Sequence, residues 1–193
     1  MRIVLASSSA IRHAMLDAAG VAHEVVAAGI DEAALKARLD DPAEVAVALA
    51  RAKAVAVSAE RPQDWVIGSD SVVSVAGRLF DKPADRVQAA EHLRLFSGRT
   101  MHLTSAVALA RGGAAEWGAC QSASLHVREL SDRFIEDYLE REWPAVSYCV
   151  GVFRIEGPGV QLFTSIEGDH FTILGMPLLP LLKALRERGV IAT

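Results

Sequence analysis

Two adjacent glycines, Gly112 and Gly113, separate two long strand-like runs, Met101 to Ala110 and Ala119 to Arg128, and this arrangement constrains the fold more than any other feature. A short glycine turn between such runs closes an antiparallel hairpin, so a sheet that contains it cannot be all parallel. The rest of the chain asks for crossovers. A short apolar run from Arg2 to Ala6 stops at Ser7-Ser8-Ser9, an amphipathic segment from Ala10 to Ala19 follows, and after Gly20 a second strand is predicted over Val21 to Ala27. A helical pattern starts at Asp31-Glu32 and reaches Leu39, and Pro42 opens a long helix over about Ala43 to Ala59. Trp65 to Gly68 predicts a buried strand that breaks off at Ser69-Asp70-Ser71 and resumes over Val72 to Val75, with Arg78 to Phe80 beyond an Ala-Gly turn. Helices are expected over Ala84 to Phe96, Ser131 to Arg141 and Pro177 to Arg188, and a last strand over Val160 to Ile166. Helical crossovers together with a hairpin predict an α/β domain on a mixed sheet.

At 193 residues, of which 51% are hydrophobic, the chain is long enough for one core, and no repeat or linker divides it, so a single domain over 1–193 is expected. A formal charge of -4 gives no global attraction to nucleic acid or to an anionic membrane. Apolar runs fall well short of the roughly 18 residues of a membrane-spanning helix. The opening Met-Arg-Ile-Val-Leu-Ala does not read as a signal peptide and there are only two cysteines, which makes the cytoplasm the expected location. The phosphate loop G-x-x-x-x-G-K, the zinc motif H-E-x-x-H and C-x-x-C are all missing from the sequence. The six histidines, at 13, 23, 92, 102, 126 and 170, have no spacing that sets two on one helix face, and none is assigned to a metal.

What remains is a set of polar residues that interrupt or flank apolar elements: Ser7-Ser8-Ser9 with Arg12, Asp31-Glu32, Lys53, Ser69-Asp70-Ser71 and Asp81-Lys82-Pro83. A hydroxyl-rich turn entering a helix can hold phosphate oxygens, because the first helical N–H groups lack partners and carry partial positive charge. The same residues also serve as ordinary N-caps, and local sequence leaves both readings open. Asp70 is the sharper case, since a carboxylate inside an apolar strand is expensive to bury unpaired. A turn or capping aspartate is the competing reading.

Taken in order, these stretches resemble the Maf family of septum-formation-inhibitor-like nucleoside triphosphate pyrophosphatases. Leu5-Ala-Ser-Ser-Ser-Ala-Ile-Arg12 is similar to the family's L-A-S-x-S-P-R-R, Ile30-Asp-Glu32 to V-D-E, and Leu49-Ala-Arg-Ala-Lys-Ala54 to L-A-x-x-K-A. Gly68-Ser-Asp-Ser-Val-Val73 resembles G-[AS]-D-T-V-V, Lys82-Pro-Ala-Asp85 resembles K-P-x-D, and Leu95-Phe-Ser-Gly98 with His102 resembles L-S-G-x-x-H. Gly151 to Gly157, Ile166 to His170 and Leu174 to Pro177 are similar to G-A-Y-x-I-Q-G, I-x-G-D-Y and V-G-L-P. The resemblance implies that Asp70 accepts a proton, that Glu32 partners a metal or the substrate, and that Ser7, Ser9, Arg12, Lys53 and Lys82 form the phosphate shell. It also implies an elongated mixed sheet flanked by helices, with a cleft between two lobes as in inosine triphosphate pyrophosphatases, and a homodimer.

The reaction so implied is hydrolysis of a standard or modified nucleoside triphosphate to a monophosphate and pyrophosphate, a nucleotide-pool housecleaning activity. A divalent cation held by Asp70 and Glu32 would assist it, Mg2+ by expectation, with Mn2+ suiting the same hard oxygen donors. The chain departs from the family pattern at Ala10 and Ile11, which replace Pro-Arg, at Ser71, which replaces threonine, and at Cys149, near which the family's lysine aligns. It also has Glu156 in place of glutamine. Glu156 with Phe153 three residues earlier looks like the branch acting on 7-methylguanosine triphosphate, which carries tryptophan at the position of Ile11. Ile11, Ser71, Phe153 and Glu156 are therefore the expected base-specificity positions. The alternative from another class is a non-catalytic nucleotide sensor that regulates septum formation.

Overall fold

The computed structural model describes residues 2–192. The described residues form seven strands and seven α-helices, in the order β1 (Ile3–Leu5), α1 (Ala10–Ala18), β2 (Glu24–Val25), α2 (Glu32–Lys36), α3 (Pro42–Glu60), β3 (Trp65–Val75), β4 (Arg78–Phe80), α4 (Arg86–Phe96), β5 (Thr100–Arg111), β6 (Ala114–Val127), α5 (Asp132–Glu142), β7 (Phe163–Glu167), α6 (His170–Leu174) and α7 (Leu178–Glu187). The sheet is mixed, as expected, with strand order β2-β1-β3-β5-β6-β7 and β4 paired to β3. β1 lies parallel to both β2 and β3, whereas β3–β4 and β6–β7 are antiparallel. Among the described residues no helix is long and apolar enough to cross a membrane.

The described residues form two compact units, each discontinuous in sequence. The first comprises the chain up to Ser71, Thr104–Gln121 and the residues from Asp169 on. Its core joins Ile3 and Leu5 of β1, Met15 and Leu16 of α1, Ile67 of β3, Leu109 of β5, and Leu181 and Leu185 of α7. Helix α1 ends in a Schellman turn: Gly20 takes φ +69, its N–H donates to Asp17 O at 2.9 Å, and Val21 N–H donates to Leu16 O at 2.9 Å. Val21 and Leu16 are both buried, which supplies the apolar contact that accompanies this turn.

The second unit comprises Val72–Leu103 and Ser122–Gly168. Its core includes Phe80 and Phe96 in edge-to-face contact at 4.9 Å and Phe153 against Phe163 at 5.0 Å. The buried Tyr138 hydroxyl donates to Val152 O at 3.0 Å, and Arg154 grips the buried Glu142 carboxylate with two nitrogens at 2.9 and 3.2 Å.

Three expectations change. The polar triplet does not break the strand, because β3 runs uninterrupted from Trp65 to Val75 with Ser69 and Asp70 buried inside it. The strand is tolerated because each polar group has a partner, as described below. β2 shrinks to Glu24–Val25, and the strand expected from Val160 begins at Phe163, residues 158–162 forming a 3-10 turn instead. The short helix α6, capped by Asp169 accepting from Thr172 N, was not predicted.

Candidate active site

Successive side chains of a strand face opposite ways, and β3 uses that alternation to serve two partners. Gly68 and Asp70 face α3. A β-carbon on Gly68 would stand 2.6 Å from Ala54 N and 2.9 Å from Ala54 Cβ, so the helix backbone packs directly on the strand at that point. Lys53, on the same stretch of α3, reaches Asp70 Oδ1 at 2.6 Å. Its ammonium also meets Glu32 Oε1, from the first turn of α2, at 2.8 Å. Lys53 and Asp70 side chains are each 11% exposed, and that of Glu32 is 45% exposed. Two carboxylates thus converge on one ammonium and leave a net negative charge.

Ser69 and Ser71 face the other way. The Ser69 hydroxyl is within donating distance of Ala106 O at 2.8 Å and Gly175 O at 3.1 Å. Ser71 Oγ lies 2.8 Å from Ser105 Oγ, which donates to Thr172 O at 2.8 Å, and 3.0 Å from Gly175 O. Arg12 of α1 completes this network: Nε donates to Gly175 O at 2.9 Å, Nη1 to Ser7 Oγ at 3.3 Å and Nη2 to Ser71 Oγ at 3.0 Å. A guanidinium has five N–H groups, so three fix its plane and two are left for a ligand. Burial pushes the Arg12 guanidinium down from its ordinary range, and the charges of Asp70 and Glu32 oppose that shift. Arg12 therefore sits in the field of both acids.

Ser9 takes the N-cap position of α1, but its side chain makes no capping bond. Its own N–H donates to Ser7 Oγ at 3.2 Å. A nine-residue helix therefore presents first-turn N–H groups that its N-cap side chain leaves uncapped, beside Arg12. Ile11 is half-buried on the same helix.

The remaining expected residues belong to the second unit. Lys82 is exposed in the segment between β4 and α4, and Glu156 is exposed in a turn before Gly157. Both lie within electrostatic reach of Cys149, whose thiol pKa is pushed up chiefly by burial and then by the Glu156 charge, with Lys82 opposing. Phe153 is buried, its ring set edge-on to Phe163. The structure thus gathers Ser7, Ser9, Arg12, Glu32, Lys53, Asp70 and Ser71 in one unit, and Lys82, Phe153 and Glu156 in the other.

Sequence reasoning missed Ser105 and the Gly175 carbonyl, which orient Arg12 and Ser71. A signal was there for Ser105. Thr104-Ser105 interrupts the apolar run of β5 as Ser69-Asp70-Ser71 interrupts β3, and two polar breaks in apolar strands invite pairing.

The donor set also suits a hard divalent cation. Glu32 and Asp70 supply carboxylate oxygens that converge on one position, now spanned by the Lys53 ammonium, and phosphate would supply the rest.

Comparison with known proteins places the chain in a family. A "7-methyl-GTP pyrophosphatase" of Rhizobium meliloti is 47% identical over 193 residues, covering 98% of this chain and 97% of that protein. A "Nucleoside triphosphate pyrophosphatase" of Sphingopyxis alaskensis is 47% identical over 195 residues, covering 98% of each chain. A second "7-methyl-GTP pyrophosphatase", from Rhizobium etli, is 47% identical over 194 residues and also covers 98% of each. The family model described as "Maf-like protein" matches residues 2–188. With a match of that extent, the chain belongs to the Maf-like protein family.

Proposed function

We propose that this chain is a nucleoside triphosphate pyrophosphatase that hydrolyses its substrate to a nucleoside monophosphate and pyrophosphate. The observation that carries the reading is Asp70, buried on β3 and held at 2.6 Å by Lys53, in the same unit as an Arg12 whose plane is fixed with two N–H groups left for a ligand. The names of the relatives support the same reaction.

In this mechanism Arg12, the α1 N-terminus, Ser7, Ser9 and Lys53 bind and orient the triphosphate, offsetting its charge with hydrogen bonds to ionised oxygens. Lys82 contributes a further cation. Asp70 accepts the proton of the attacking water as its oxygen bonds to phosphorus, and the bridging P–O bond between the α- and β-phosphates breaks. Glu32 shares Lys53 with Asp70 and keeps the ammonium from neutralising the base alone. Glu32 and Asp70 would hold Mg2+ or Mn2+, which when bound polarises the phosphoryl group and offsets developing charge.

For the base, the reading favoured is a guanine-type or 7-methylguanine triphosphate. An exposed Glu156 carboxylate has only acceptors and takes hydrogen bonds from the N1–H and exocyclic amine of a guanine edge, and two of the relatives are named for 7-methyl-GTP. Phe153, buried against Phe163, would act by shaping the surroundings of Glu156, with Ile11 and Ser71 as the other specificity positions. A homodimer in the cytoplasm completes the proposal.

A panel of standard and modified nucleotides, with pyrophosphate and phosphate detected separately, tests it. Pyrophosphate release that stops with chelator is the expected result. Stepwise phosphate release, or full activity in excess chelator, refutes the reaction. Tight binding without any turnover would point to a nucleotide sensor.

A further inference from the structure

The Schellman turn after α1 has an effect that the amino-acid spacing conceals. His13 and Asp17 are four residues apart and so share one face of α1. The turn at Gly20 reverses the chain and lays His23 against that face. His13 Nδ1 and His23 Nε2 stand 2.7 Å apart, His13 Nε2 is 3.4 Å from Asp17 Oδ2, and all three residues offer ligand atoms within 4.8 Å of one another. Histidines that looked dispersed are neighbours.

His23 is oriented as metal-bound histidines are. Its side chain has no exposed surface, and its Nδ1 lies 2.8 Å from Val21 O. A carbonyl can only accept, so Nδ1 carries a hydrogen and the other ring nitrogen, Nε2, faces His13, while Asp17 Oδ1 lies 3.9 Å from Nδ1. Anchoring the remote ring nitrogen on a carbonyl fixes ring plane and tautomer, the usual outer support of an imidazole ligand. His13 and Asp17, with side chains 48% and 59% exposed, leave the opposite side open to water.

We propose that His13, Asp17 and His23 form a site for one late first-row divalent ion, Zn2+ or its Co2+, Ni2+ and Cu2+ counterparts, distinct from the Glu32–Asp70 pair. Bonds of about 2.0–2.2 Å at tetrahedral angles separate donors by about 3.4 Å. With one donor atom taken from each residue, all three lie within 4.8 Å of one another, so changes in the exposed His13 and Asp17 rotamers suffice to close the site. Two imidazoles with one carboxylate and an open position for water make a three-ligand set suited to zinc. Imidazole donors select these metals over Mg2+ and Ca2+, which take oxygen ligands, so the two sites differ in the ions they favour. Because Arg12 directly precedes His13, such an ion would pin the same helix that carries the guanidinium.

The test is calorimetric titration of the tag-free full-length protein with Zn2+ in a large excess of Mg2+, alongside Co2+ titration followed by visible d–d absorption. Wild type should bind one equivalent. His13→Ala and Asp17→Asn, both at exposed positions, should bind at least about tenfold more weakly, since even outer-shell partners of bound histidines are worth about 10–100-fold. Asp70→Asn should bind like wild type. Circular dichroism and melting of His13→Ala show whether its fold is intact, and Asp17→Asn gives an independent arm if it is not. Binding unchanged in both site variants, or lost in Asp70→Asn, overturns the proposal. So does a thiolate-to-Co2+ charge-transfer band, which would put the ion on Cys120 or Cys149.

Discussion

Replacing Gly68 by alanine tests whether the geometry of Asp70 is set by backbone packing. The added β-carbon would lie 2.6 Å from Ala54 N and 2.9 Å from Ala54 Cβ, and closer still to the Ala50 carbonyl oxygen. Ordinary contact begins at 3.4 Å, so α3 must retreat by about 0.8 Å or more from β3. Neither Ala50 nor Ala54 can swing aside, because the obstructing atoms are mostly helix backbone. Overpacking of this kind costs about 1–3 kcal/mol, and a backbone obstacle puts the change at the upper end. For a chain of this size each kcal/mol moves Tm by about 2–4 °C, so a fall of about 6–12 °C is expected. Because Lys53 lies between Ala50 and Ala54 on α3, its 2.6 Å contact with Asp70 lengthens too, and a displacement near 1 Å can cost about 10²-fold in turnover. Gly29→Ala is the control, because a β-carbon there meets nothing within 4 Å and its φ is not in the left-handed region. The assays are urea and thermal unfolding plus kcat on pyrophosphate release. A Gly68→Ala Tm within about 2 °C of wild type, or an equal fall in Gly29→Ala, would show that packing at β3–α3 does not place Asp70.

Other outcomes follow from the same contacts. Asp70→Asn should keep the fold, because Lys53 retains Glu32, and lose about 10²- to 10⁴-fold in kcat; near wild-type turnover would demote Asp70 to a structural role. Lys53→Met should be the more destabilising change, by about 3–5 kcal/mol in urea unfolding, because it strands the buried Asp70 carboxylate; a smaller loss than in Asp70→Asn would contradict this. Glu156→Gln should shift kcat/KM from guanine-type triphosphates toward uracil or thymine, whose N3–H and carbonyl match an amide; an unchanged ranking would place base reading elsewhere. Burial first, then the Glu156 charge, push the Cys149 thiol up to about 11, so its thiolate fraction at pH 8 is about 10⁻³. Alkylation there should be at least about 100-fold slower than for a free cysteine and rise with each pH unit to about pH 10, read by mass spectrometry; labelling at the free-cysteine rate would contradict the assignment.

The strands, long helices and central hairpin were legible because their apolar periods are strong, and α3 differs by only a residue at each end from the expected range. The polarity of Ser69-Asp70-Ser71 predicts a strand break, whereas tertiary partners from β5, α3 and residue 175 satisfy each group within the strand. β2 is short because sheet pairing reaches only Glu24 and Val25, a limit that β propensity over Val21–Ala27 does not encode. Among the candidate residues, Arg12, Glu32, Lys53 and Asp70 stand out locally only as charges beside apolar elements, and it is the family resemblance that implies their roles. The Gly175 carbonyl was not, since a main-chain oxygen leaves no mark in composition. His13 and His23 escaped for a related reason: helix-face counting stops at Gly20, and the contact is made by the turn.

The convergence of Arg12, Ser69 and Ser71 on Gly175 O ties residues from early in the chain to one made more than a hundred residues later. On the ribosome, Glu32, Lys53 and Asp70 can meet as soon as α3 and β3 have emerged. Arg12 gains its main anchor only once Gly175 has been made. During synthesis the nascent chain therefore carries the Glu32–Lys53–Asp70 cluster without an oriented guanidinium, and it fixes this second cation late. An incompletely translated chain that stops short of α6 would hold Asp70 against Lys53 while the Arg12 guanidinium lacks its bond to Gly175 O.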